Sequence, residues 1–222
     1  MIKAVLFDMD GILYDSEGYY MAGITDFMHD LGYKGDDRRI LDVLGTTMQV
    51  TFEMLSDMLE GRYTPKEVEE VNNRYFLVDH PLPFKDIMFE DIPEVLEELK
   101  KMGLKMAVCS SSPLDIINES IDAMGIRKYF DLVVSGEDFT ASKPDPAIYL
   151  YAAKHLGLKP EECIVYEDSA MGIGAGVNAG MFTIARTDKR FGQDQSKADL
   201  HVDNARGLLA YIKKEIENGN SH

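Results

Sequence analysis

Short, continuous apolar runs alternate with amphipathic helical patterns over most of the chain. Runs of this kind are typical of strands that are buried on both faces of a sheet. They lie at 2–8, 104–110, 130–136, 162–168 and 181–186, and a shorter one follows at 198–202. Because parallel strands need crossover connections, strands that alternate with helices predict a parallel sheet with helices on both faces. The expected fold class is therefore α/β, with a three-layer, Rossmann-like core.

One long stretch, 17–83, interrupts this alternation because it contains no convincing strand. Helical patterns follow one another there, and the last begins at Thr64-Pro65-Lys66-Glu67, a capping box with proline at the first helical position. We therefore predict two domains. The α/β core comprises residues 1–16 and 84–222, and an all-helical cap domain of residues 17–83 is inserted after the first strand.

Composition excludes several classes of protein. The chain has 222 residues, of which 45% are hydrophobic, and this is ample for a packed core. Its 39 acidic and 23 basic residues give a net charge of −16, which disfavours binding to nucleic acid or to an anionic membrane. No apolar run approaches the roughly 20 residues that span a bilayer. The N-terminal segment has no signal-peptide pattern, and Cys109 and Cys163 sit in apolar runs, so we expect buried free thiols and a cytoplasmic location.

Two carboxylates end the first predicted strand. Asp8 and Asp10 lie in Phe-Asp-Met-Asp-Gly, 7–11, and the carboxyl ends of parallel strands are where such sheets bind ligands. Two carboxylates at this separation repel each other, so they need a cation or a shared proton. A hard divalent ion with oxygen ligands, such as Mg²⁺, fits this pair best. A turn that merely closes the strand is the structural alternative.

Polar residues also follow three later strands or loops. Ser110-Ser111-Ser112 ends the second strand, where hydroxyl and backbone N–H groups before a helix predict an anion site. Ser112 and Pro113 are also expected as the N-cap and first-turn proline of that helix. Lys143 lies in Ser-Lys-Pro-Asp-Pro, whose prolines restrict the backbone. Glu167 and Asp168 end a further strand and add carboxylates at the same sheet edge.

These motifs occur in an order that resembles a known family. Asp-x-Asp-Gly at 8–11, Ser110 at a strand end, Lys-Pro-x-Pro at 143–146 and Glu-Asp-Ser-x-x-Gly at 167–172 are together similar to the haloacid dehalogenase superfamily. The branch that the chain resembles holds β-phosphoglucomutase and small-molecule phosphatases, which carry a helical cap inserted after the first motif. The resemblance covers nearly the whole chain and implies an active site between core and cap.

The resemblance also implies a role for each matching residue. Asp8 would be the nucleophile that forms an aspartyl-phosphate, and Asp10 would be the general acid and then the general base. Lys143 would bridge Asp8 and the phosphoryl group. Ser110 and Ser111 would bind phosphate, and Mg²⁺ would be held by Asp8, the main-chain carbonyl of Asp10 and Asp168, with Glu167 in or beside its ligand shell. The implied enzyme is a phosphatase acting on a small phosphorylated metabolite such as a sugar phosphate.

Two positions depart from the mutase pattern. In the cap stretch Leu-Gly-Thr-Thr-Met, 44–48, Met48 stands where a β-phosphoglucomutase has a basic residue, and Tyr20 stands in place of a histidine. Losing both anchors for a second phosphate favours hydrolysis, although Arg38 or Arg39 could substitute and a phosphomutase stays the alternative. We expect Thr46, Thr47 and Met48 to contact substrate.

A nucleotide-binding protein is a further alternative. Gly174-x-Gly176-x-x-Ala179 fits a relaxed dinucleotide fingerprint, and Asp188 lies past the next strand. The carboxylates of Glu167 and Asp168 precede these glycines and would repel a pyrophosphate. The glycines are therefore predicted to pack a helix against the sheet. A non-catalytic binding protein that keeps the fold is the remaining alternative.

Overall fold

The computed structural model describes residues 1–44 and 46–219, which divide into two compact units. One unit comprises Met1–Asp15 and the chain from Phe84 onward, and we call it the core unit. The other is Ser16–Pro83, the cap unit. No helix of the described chain is long and apolar enough to span a membrane.

The core unit is built on a parallel sheet, which confirms the predicted α/β class. Its strands among the described residues are β1 (Ala4–Phe7), β2 (Lys105–Ser110), β3 (Leu132–Ser135), β4 (Cys163–Glu167), β5 (Phe182–Arg186) and β6 (Leu200–Val202). They lie in the order β3-β2-β1-β4-β5-β6, and every neighbouring pair is parallel. The α-helices in the described chain are α1 (Ser16–Asp30), α2 (Met48–Met58), α3 (Pro65–Arg74), α4 (Ile92–Lys101), α5 (Leu114–Ala123), α6 (Ala147–His155), α7 (Ala170–Asn178) and α8 (Ala205–Gly219).

The register of the central strands brings distant polar residues to one edge of the sheet. Phe7 of β1 pairs with Val108 of β2 on one side and with Tyr166 of β4 on the other. The next residue, Asp8, donates its backbone N–H to the carbonyl of Tyr166 at 3.0 Å. Since the direction of chain progression across the sheet reverses at β1, a crevice opens at the carboxyl ends of these three strands.

The glycines of α7 let this helix lie close to the sheet. A Cβ atom on Gly176 would lie 2.5 Å from Thr183 Oγ1 and 3.1 Å from the side chain of Val165, so no larger residue fits without movement. A Cβ atom on Gly174 would approach the ring of Pro144 at 3.1 Å. These contacts support the prediction that the glycines pack the helix rather than bind a nucleotide.

The cap unit consists of α1, α2, α3, a 3₁₀ helix at Asp37–Val43 and a π-helix at Tyr75–Asp79. Its own apolar core gathers buried residues from each of these elements: Ile24, Phe27, Met28, Ile40, Leu55, Val68 and Phe76. The predicted capping box is present at α3, where Thr64 N–H donates to Glu67 Oε2 at 2.8 Å and Glu67 N–H donates to Thr64 Oγ1 at 3.3 Å.

Two local features differ from the sequence-based expectation or were not foreseen. The prediction of Ser112 as an N-cap is wrong, because Pro113 itself adopts the extended backbone of an N-cap and α5 begins at Leu114. The π-helix was not foreseen because its wider turn does not follow the 3.6-residue period by which helices are recognised in sequence. Its closing hydrogen bond runs from His80 N–H to the carbonyl of Tyr75 at 2.7 Å.

Candidate active site

A buried lysine joins two carboxylates at the carboxyl edge of the sheet. Lys143 Nζ lies 2.6 Å from Asp8 Oδ1 and 2.8 Å from Glu167 Oε1, and it also donates to the carbonyl of Cys109 at 3.1 Å. The lysine side chain is 7% exposed and that of Glu167 is fully buried. The three partners of the ammonium lie directly after β1, in β2 and at the end of β4, so the lysine is fixed by the central strands.

Both oxygens of Glu167 are engaged by donors. Oε1 accepts from Lys143 and from the hydroxyl of Tyr149 at 3.1 Å. Oε2 accepts from the backbone N–H groups of Asp168 and Ser169 at 2.9 and 3.0 Å and from the Ser169 hydroxyl at 3.1 Å. Gly172 makes this possible, because a Cβ atom there would overlap the Glu167 carboxylate at 1.5 Å. Glu167 therefore acts first as the fixed anchor of Lys143.

Burial and neighbouring charges shift the ionisation of this cluster. Burial, followed by repulsion from Glu167, raises the pKa of Asp8 to about 7, while the attraction of Lys143 opposes the rise. Burial alone would lower the pKa of Lys143, but its attraction to Asp8 and Glu167 holds that pKa well above the ordinary value. The lysine therefore stays cationic, and the raised pKa of Asp8 shows that its ionised form needs a further positive partner besides Lys143.

Three carboxylates come close enough together to hold a metal ion. Asp8, Glu167 and Asp168 each offer an oxygen, and these atoms lie within 4.8 Å of one another. Gly11 makes room for Asp168, because a Cβ atom on this glycine, whose φ is +70°, would lie 2.0 Å from Asp168 Oδ2. Lys143 balances only one of the clustered charges. An oxygen-only, anionic site with this deficit of positive charge fits a hard divalent cation such as Mg²⁺.

The serine run after β2 is tied to Asp10. Ser112 was expected to cap the helix, but its hydroxyl group instead donates a hydrogen bond to Asp10 Oδ2 at 3.3 Å. Ser110 is buried, and its Oγ accepts from the backbone N–H of Ser112 at 3.1 Å. Ser111 lines a cavity of about 230 Å³ together with Lys143 and Gly136. The structure thus brings Asp8, Lys143, Glu167 and Asp168 into direct contact or metal-ligand range, and Ser112 joins Asp10 to the same edge.

Sequence reasoning missed residues that hold this edge together. Tyr149, from α6, anchors Glu167 and carries no motif that could have marked it. Gln195, in the loop between β5 and β6, donates through Nε2 to the carbonyls of Asp168 at 2.6 Å and Arg186 at 2.7 Å. Arg186 in turn donates to the carbonyl of Gly11 at 3.3 Å and stacks on the ring of Phe89 with Cζ 3.9 Å from the ring centroid. These contacts fix the backbone next to two of the acidic residues.

The cap residues predicted to contact substrate have different surroundings. Thr47 is the N-cap of α2, and its Oγ1 accepts from Val50 N–H at 3.4 Å. Thr46 Oγ1 donates to the carbonyl of Val43 at 2.7 Å and lies 2.7 Å from Thr51 Oγ1. Met48 lines an open cavity of the cap unit together with Tyr20. Gly45, in the same stretch, lies outside the described residues.

The two arginines considered as substitute anchors lie elsewhere. Arg38 is held by Asp36 through its Nε and Nη2 atoms, with Nε 2.9 Å from Asp36 Oδ2. Arg39 lines a separate groove of the cap unit beside Lys34 and Arg62. Neither arginine is among the residues that line the cavity of Met48 and Tyr20.

Comparison with known proteins places the chain in a family. The family model for haloacid dehalogenase-like hydrolases matches residues 5–186, a span that includes the residues of all four motifs and the inserted cap segment. The chain therefore belongs to the haloacid dehalogenase-like hydrolases. Several of its curated relatives are named phosphatases, which supports the enzyme class of phosphoric monoester hydrolases.

Individual relatives extend over almost the whole chain. The phosphorylated carbohydrates phosphatase of Thermotoga maritima is 28% identical over 220 residues, which is 96% of this chain and 95% of that protein. Hexitol phosphatase B of Escherichia coli K12 is 32% identical over 200 residues, 86% of this chain and 88% of that protein. Among solved structures, β-phosphoglucomutase of Clostridium difficile aligns over 100% of both chains with 25% identity and a TM-score of 0.67.

Proposed function

We propose that this enzyme is a Mg²⁺-dependent phosphatase that hydrolyses a small phosphate monoester through an aspartyl-phosphate on Asp8. The contact that carries the proposal is the buried Lys143 ammonium, which touches both Asp8 Oδ1 and Glu167 Oε1. A cation fixed against a strand-end carboxylate is suited to hold the phosphoryl group at that carboxylate and to offset the charge that develops there.

The first half-reaction transfers the phosphoryl group to the protein. A carboxylate oxygen of Asp8 attacks phosphorus, and the bond from phosphorus to the alcohol oxygen breaks. Asp10 donates a proton to the departing alcohol. Ser112, which donates to Asp10 Oδ2, restricts the direction in which this carboxyl group points.

The second half-reaction releases inorganic phosphate and restores the enzyme. Asp10, now a carboxylate, takes a proton from the attacking water, and the bond between phosphorus and Asp8 breaks. Lys143 keeps its contact with the Glu167 carboxylate throughout, because Glu167 is fixed by Tyr149 and by the backbone at the start of α7. The site thus needs no rearrangement of its cation between the two steps.

Asp8 and Asp168 are the residues best placed to hold Mg²⁺, with the main-chain carbonyl of Asp10 as a further oxygen. Glu167 would lie beside them, since its oxygens already accept hydrogen bonds from five donor atoms. When bound there, the ion would supply positive charge to the phosphoryl oxygens and to the clustered carboxylates.

The substrate proposed is a small phosphorylated metabolite, in the range of a sugar phosphate. Two relatives support this choice by their names, a phosphatase of phosphorylated carbohydrates and a hexitol phosphatase. The net charge of −16 repels phosphate backbones and anionic surfaces. A nucleic acid or a membrane is therefore not the proposed partner.

The test compares wild type with Asp8→Asn and, as a control, the exposed Asp203→Asn. We expect wild type and the control to hydrolyse p-nitrophenyl phosphate in the presence of Mg²⁺, and Asp8→Asn to lose at least about a thousandfold in kcat. Acid quenching of wild type during turnover should trap a phosphoryl adduct on the peptide that contains Asp8. Equal rates in the two variants would refute the nucleophile assignment.

A phosphomutase is the second candidate, favoured by the structural likeness to a β-phosphoglucomutase. Product analysis separates the two activities. With β-glucose 1-phosphate and a trace of the 1,6-bisphosphate, a phosphatase releases inorganic phosphate, whereas a mutase yields glucose 6-phosphate without it. Isomerisation without phosphate release would overturn the proposed hydrolysis.

A further inference from the structure

Arg190, in the loop after β5, binds both oxygens of one carboxylate of the core unit. Its Nη1 donates to Asp15 Oδ2 at 2.8 Å, and its Nη2 donates to Asp15 Oδ1 at 2.9 Å. Two parallel bonds of this kind add a fixed geometry to the attraction between the charges. Asp15 is the last residue of the core unit before the cap unit begins at Ser16. The pair therefore joins the loop after β5 to the end of the segment that follows β1.

Asp188 extends this contact into a network of four charges. Its carboxylate accepts from Arg190 Nε at 3.0 Å on Oδ1 and at 3.1 Å on Oδ2, and Oδ2 lies 3.5 Å from Arg186 Nη1. Burial alone would raise the pKa of Asp188, but hydrogen bonds from Arg190 hold that pKa below its ordinary value. Two arginines and two aspartates thus balance one another. Bidentate geometry and several members are the conditions under which ion pairs near the surface contribute measurably.

The other end of this network lies beside Asp10. Arg186 Nη1 donates to the carbonyl of Gly11 at 3.3 Å, and Gly11 directly follows Asp10 in the chain. The Arg186 side chain is 12% exposed, and its guanidinium lies on the ring of Phe89. We call residues 11–15 the β1 turn. The network contacts this turn at both ends, through Arg186 at Gly11 and through Arg190 at Asp15.

The β1 turn is closed by its own backbone hydrogen bonds. Gly11 N–H donates to the carbonyl of Tyr14 at 3.0 Å, and Leu13 N–H donates to the carbonyl of Met9 at 2.8 Å. Met9 and Gly11 are the chain neighbours of Asp10. Because both neighbours take part in these bonds, the backbone of Asp10 cannot turn independently of the β1 turn, and holding the ends of the turn also holds Asp10.

The side chain of Asp10 depends on this support. Its bond from the Ser112 hydroxyl is 3.3 Å long, whereas hydrogen bonds between oxygens are usually shorter than about 3.0 Å. One long bond restricts a carboxyl group only weakly, so the backbone contributes much of its position. A general acid must lie within hydrogen-bond reach of the oxygen that it protonates. A small displacement of the Asp10 backbone would therefore slow the proton transfer.

We propose that Arg190 is a positioning residue for the general acid Asp10, and that it acts by holding both ends of the β1 turn. The inference rests on the proposed function, in which Asp10 donates a proton to the departing alcohol. Arg190 acts through the turn and not on the reacting atoms. Its loss should thus slow the protonation of the leaving group while Asp8 keeps its contact with Lys143.

The kinetic test uses two substrates whose leaving groups differ in their need for a proton. The anion of p-nitrophenol departs readily, whereas phenol is a poorer leaving group and depends more on the general acid. The value of kcat/KM reports the first half-reaction, in which this proton is donated. We expect Arg190→Met to lower kcat/KM by at least about tenfold for phenyl phosphate and by less than about threefold for p-nitrophenyl phosphate, since general acid catalysis contributes about a hundredfold or more and the acid is displaced rather than removed.

Arg127→Met is the matched control. The Arg127 side chain is 43% exposed against 49% for Arg190, and it likewise pairs with a carboxylate of the core unit, that of Asp122. We expect this variant to keep the wild-type ratio of the two kcat/KM values. Arg190→Lys should give an intermediate ratio, because an ammonium lacks the fork that binds both oxygens of Asp15. Equal losses for the two substrates in Arg190→Met, or the same split in Arg127→Met, would overturn the inference.

Backbone hydrogen exchange separates this inference from the proposed chemistry. The N–H groups of the β1 turn include that of Asp15, which donates to the carbonyl of Ile87 at 2.9 Å. We expect exchange in a peptide that covers this turn to be at least about threefold faster in Arg190→Met than in wild type, and unchanged in Arg127→Met. Unchanged exchange in Arg190→Met would refute the positioning role even if wild type hydrolyses monoesters. Faster exchange in this variant, with no hydrolysis by wild type, would refute only the phosphatase.

Discussion

Lys143 is the residue on which the electrostatics of the site depend most. Its ammonium is buried between Asp8 and Glu167. Burial lowers the pKa of Lys143, but the attraction of the two carboxylates is stronger and holds this pKa well above its ordinary value. Buried charges of this kind are costly when one partner is removed, because the others are left without compensation. The same cation is thus needed for both stability and phosphoryl transfer.

We therefore expect Lys143→Met to lower both activity and stability. The kcat for an aryl phosphate should fall by at least about a thousandfold, and the free energy of unfolding should fall by about 3–5 kcal/mol. Lys3→Met is the control, since Lys3 pairs with Glu162 at the surface with 52% of its side chain exposed, and such pairs contribute about 0–1 kcal/mol. Wild-type kcat in Lys143→Met would contradict the proposed role.

The raised pKa of Asp8 predicts a pH-dependent stability in the metal-free protein. Burial and Glu167 raise this pKa from 3.8 to about 7, so the folded state holds a proton that the unfolded chain releases. This contribution to stability is complete below about pH 4 and is lost as the pH rises through about 7.

Asp8→Asn does not titrate at this position, so we expect its stability relative to wild type to be higher at pH 8 than at pH 5. The difference between the two pH values should be on the order of 2–4 kcal/mol. Urea unfolding in the presence of a chelator measures it. A stability difference between variant and wild type that does not change with pH would show that Asp8 is not desolvated as described.

At the scale of elements, the site depends on close approach between the β1 turn and the start of α7. Gly11 follows Asp10 and lies against Asp168 Oδ2, and Gly172 lies against the Glu167 carboxylate. Gln195 adds a bond from the loop after β5 to the carbonyl of Asp168. The glycines thus let two strand ends bring their carboxylates together, and the loop fixes one of them.

We expect Gly11→Ala to raise the Mg²⁺ concentration needed for half-maximal activity by about tenfold or more, because the new Cβ displaces Asp168. Gly103→Ala is a matched control, since Gly103 also has a positive φ, +76°, but a Cβ there meets nothing within 4 Å. Both variants should lose about 1 kcal/mol of stability from backbone strain. An unchanged Mg²⁺ requirement in Gly11→Ala would argue against Asp168 as a ligand.

At the scale of the whole molecule, the net charge of −16 makes ion binding and stability interdependent. Acidic residues repel one another in the folded state, and the cluster of Asp8, Glu167 and Asp168 concentrates this repulsion at one edge of the sheet. A cation that binds the native site and not the unfolded chain stabilises the protein in proportion to the logarithm of its concentration.

Mg²⁺ should therefore raise the Tm of wild type beyond the effect of NaCl at equal ionic strength. At about one hundred times its Kd the ion contributes about 2.7 kcal/mol, which corresponds to a rise of several degrees for a chain of this size. Asp168→Asn should lose most of this increment while keeping the response to NaCl. If Mg²⁺ and NaCl stabilise wild type equally, the acidic cluster is not a specific cation site.

The sequence alone determined where the strands of the core lie and which polar residues follow them, although it misplaced the start of α5 and did not indicate the π-helix. Apolar runs, caps and glycines are local signals, so they located the six strands seen in the described residues and marked Asp8, Ser110 and Glu167 as residues at the ends of strands. They also indicated the helical character of the inserted segment.

Tertiary packing decided which groups meet. Asp8 and Lys143 are 135 residues apart in the chain, and Lys143 Nζ lies 2.6 Å from Asp8 Oδ1. Tyr149 and Gln195 contact the same edge of the sheet, although neither belongs to a sequence motif. Ser112 binds Asp10 rather than capping its helix, and Met48 and Tyr20 share one cavity wall. A sequence pattern reveals the short periods of helices and strands, because these depend on neighbouring residues. Hydrogen-bond partners and cavities depend instead on how distant segments pack, and this packing is fixed only when the whole chain is folded.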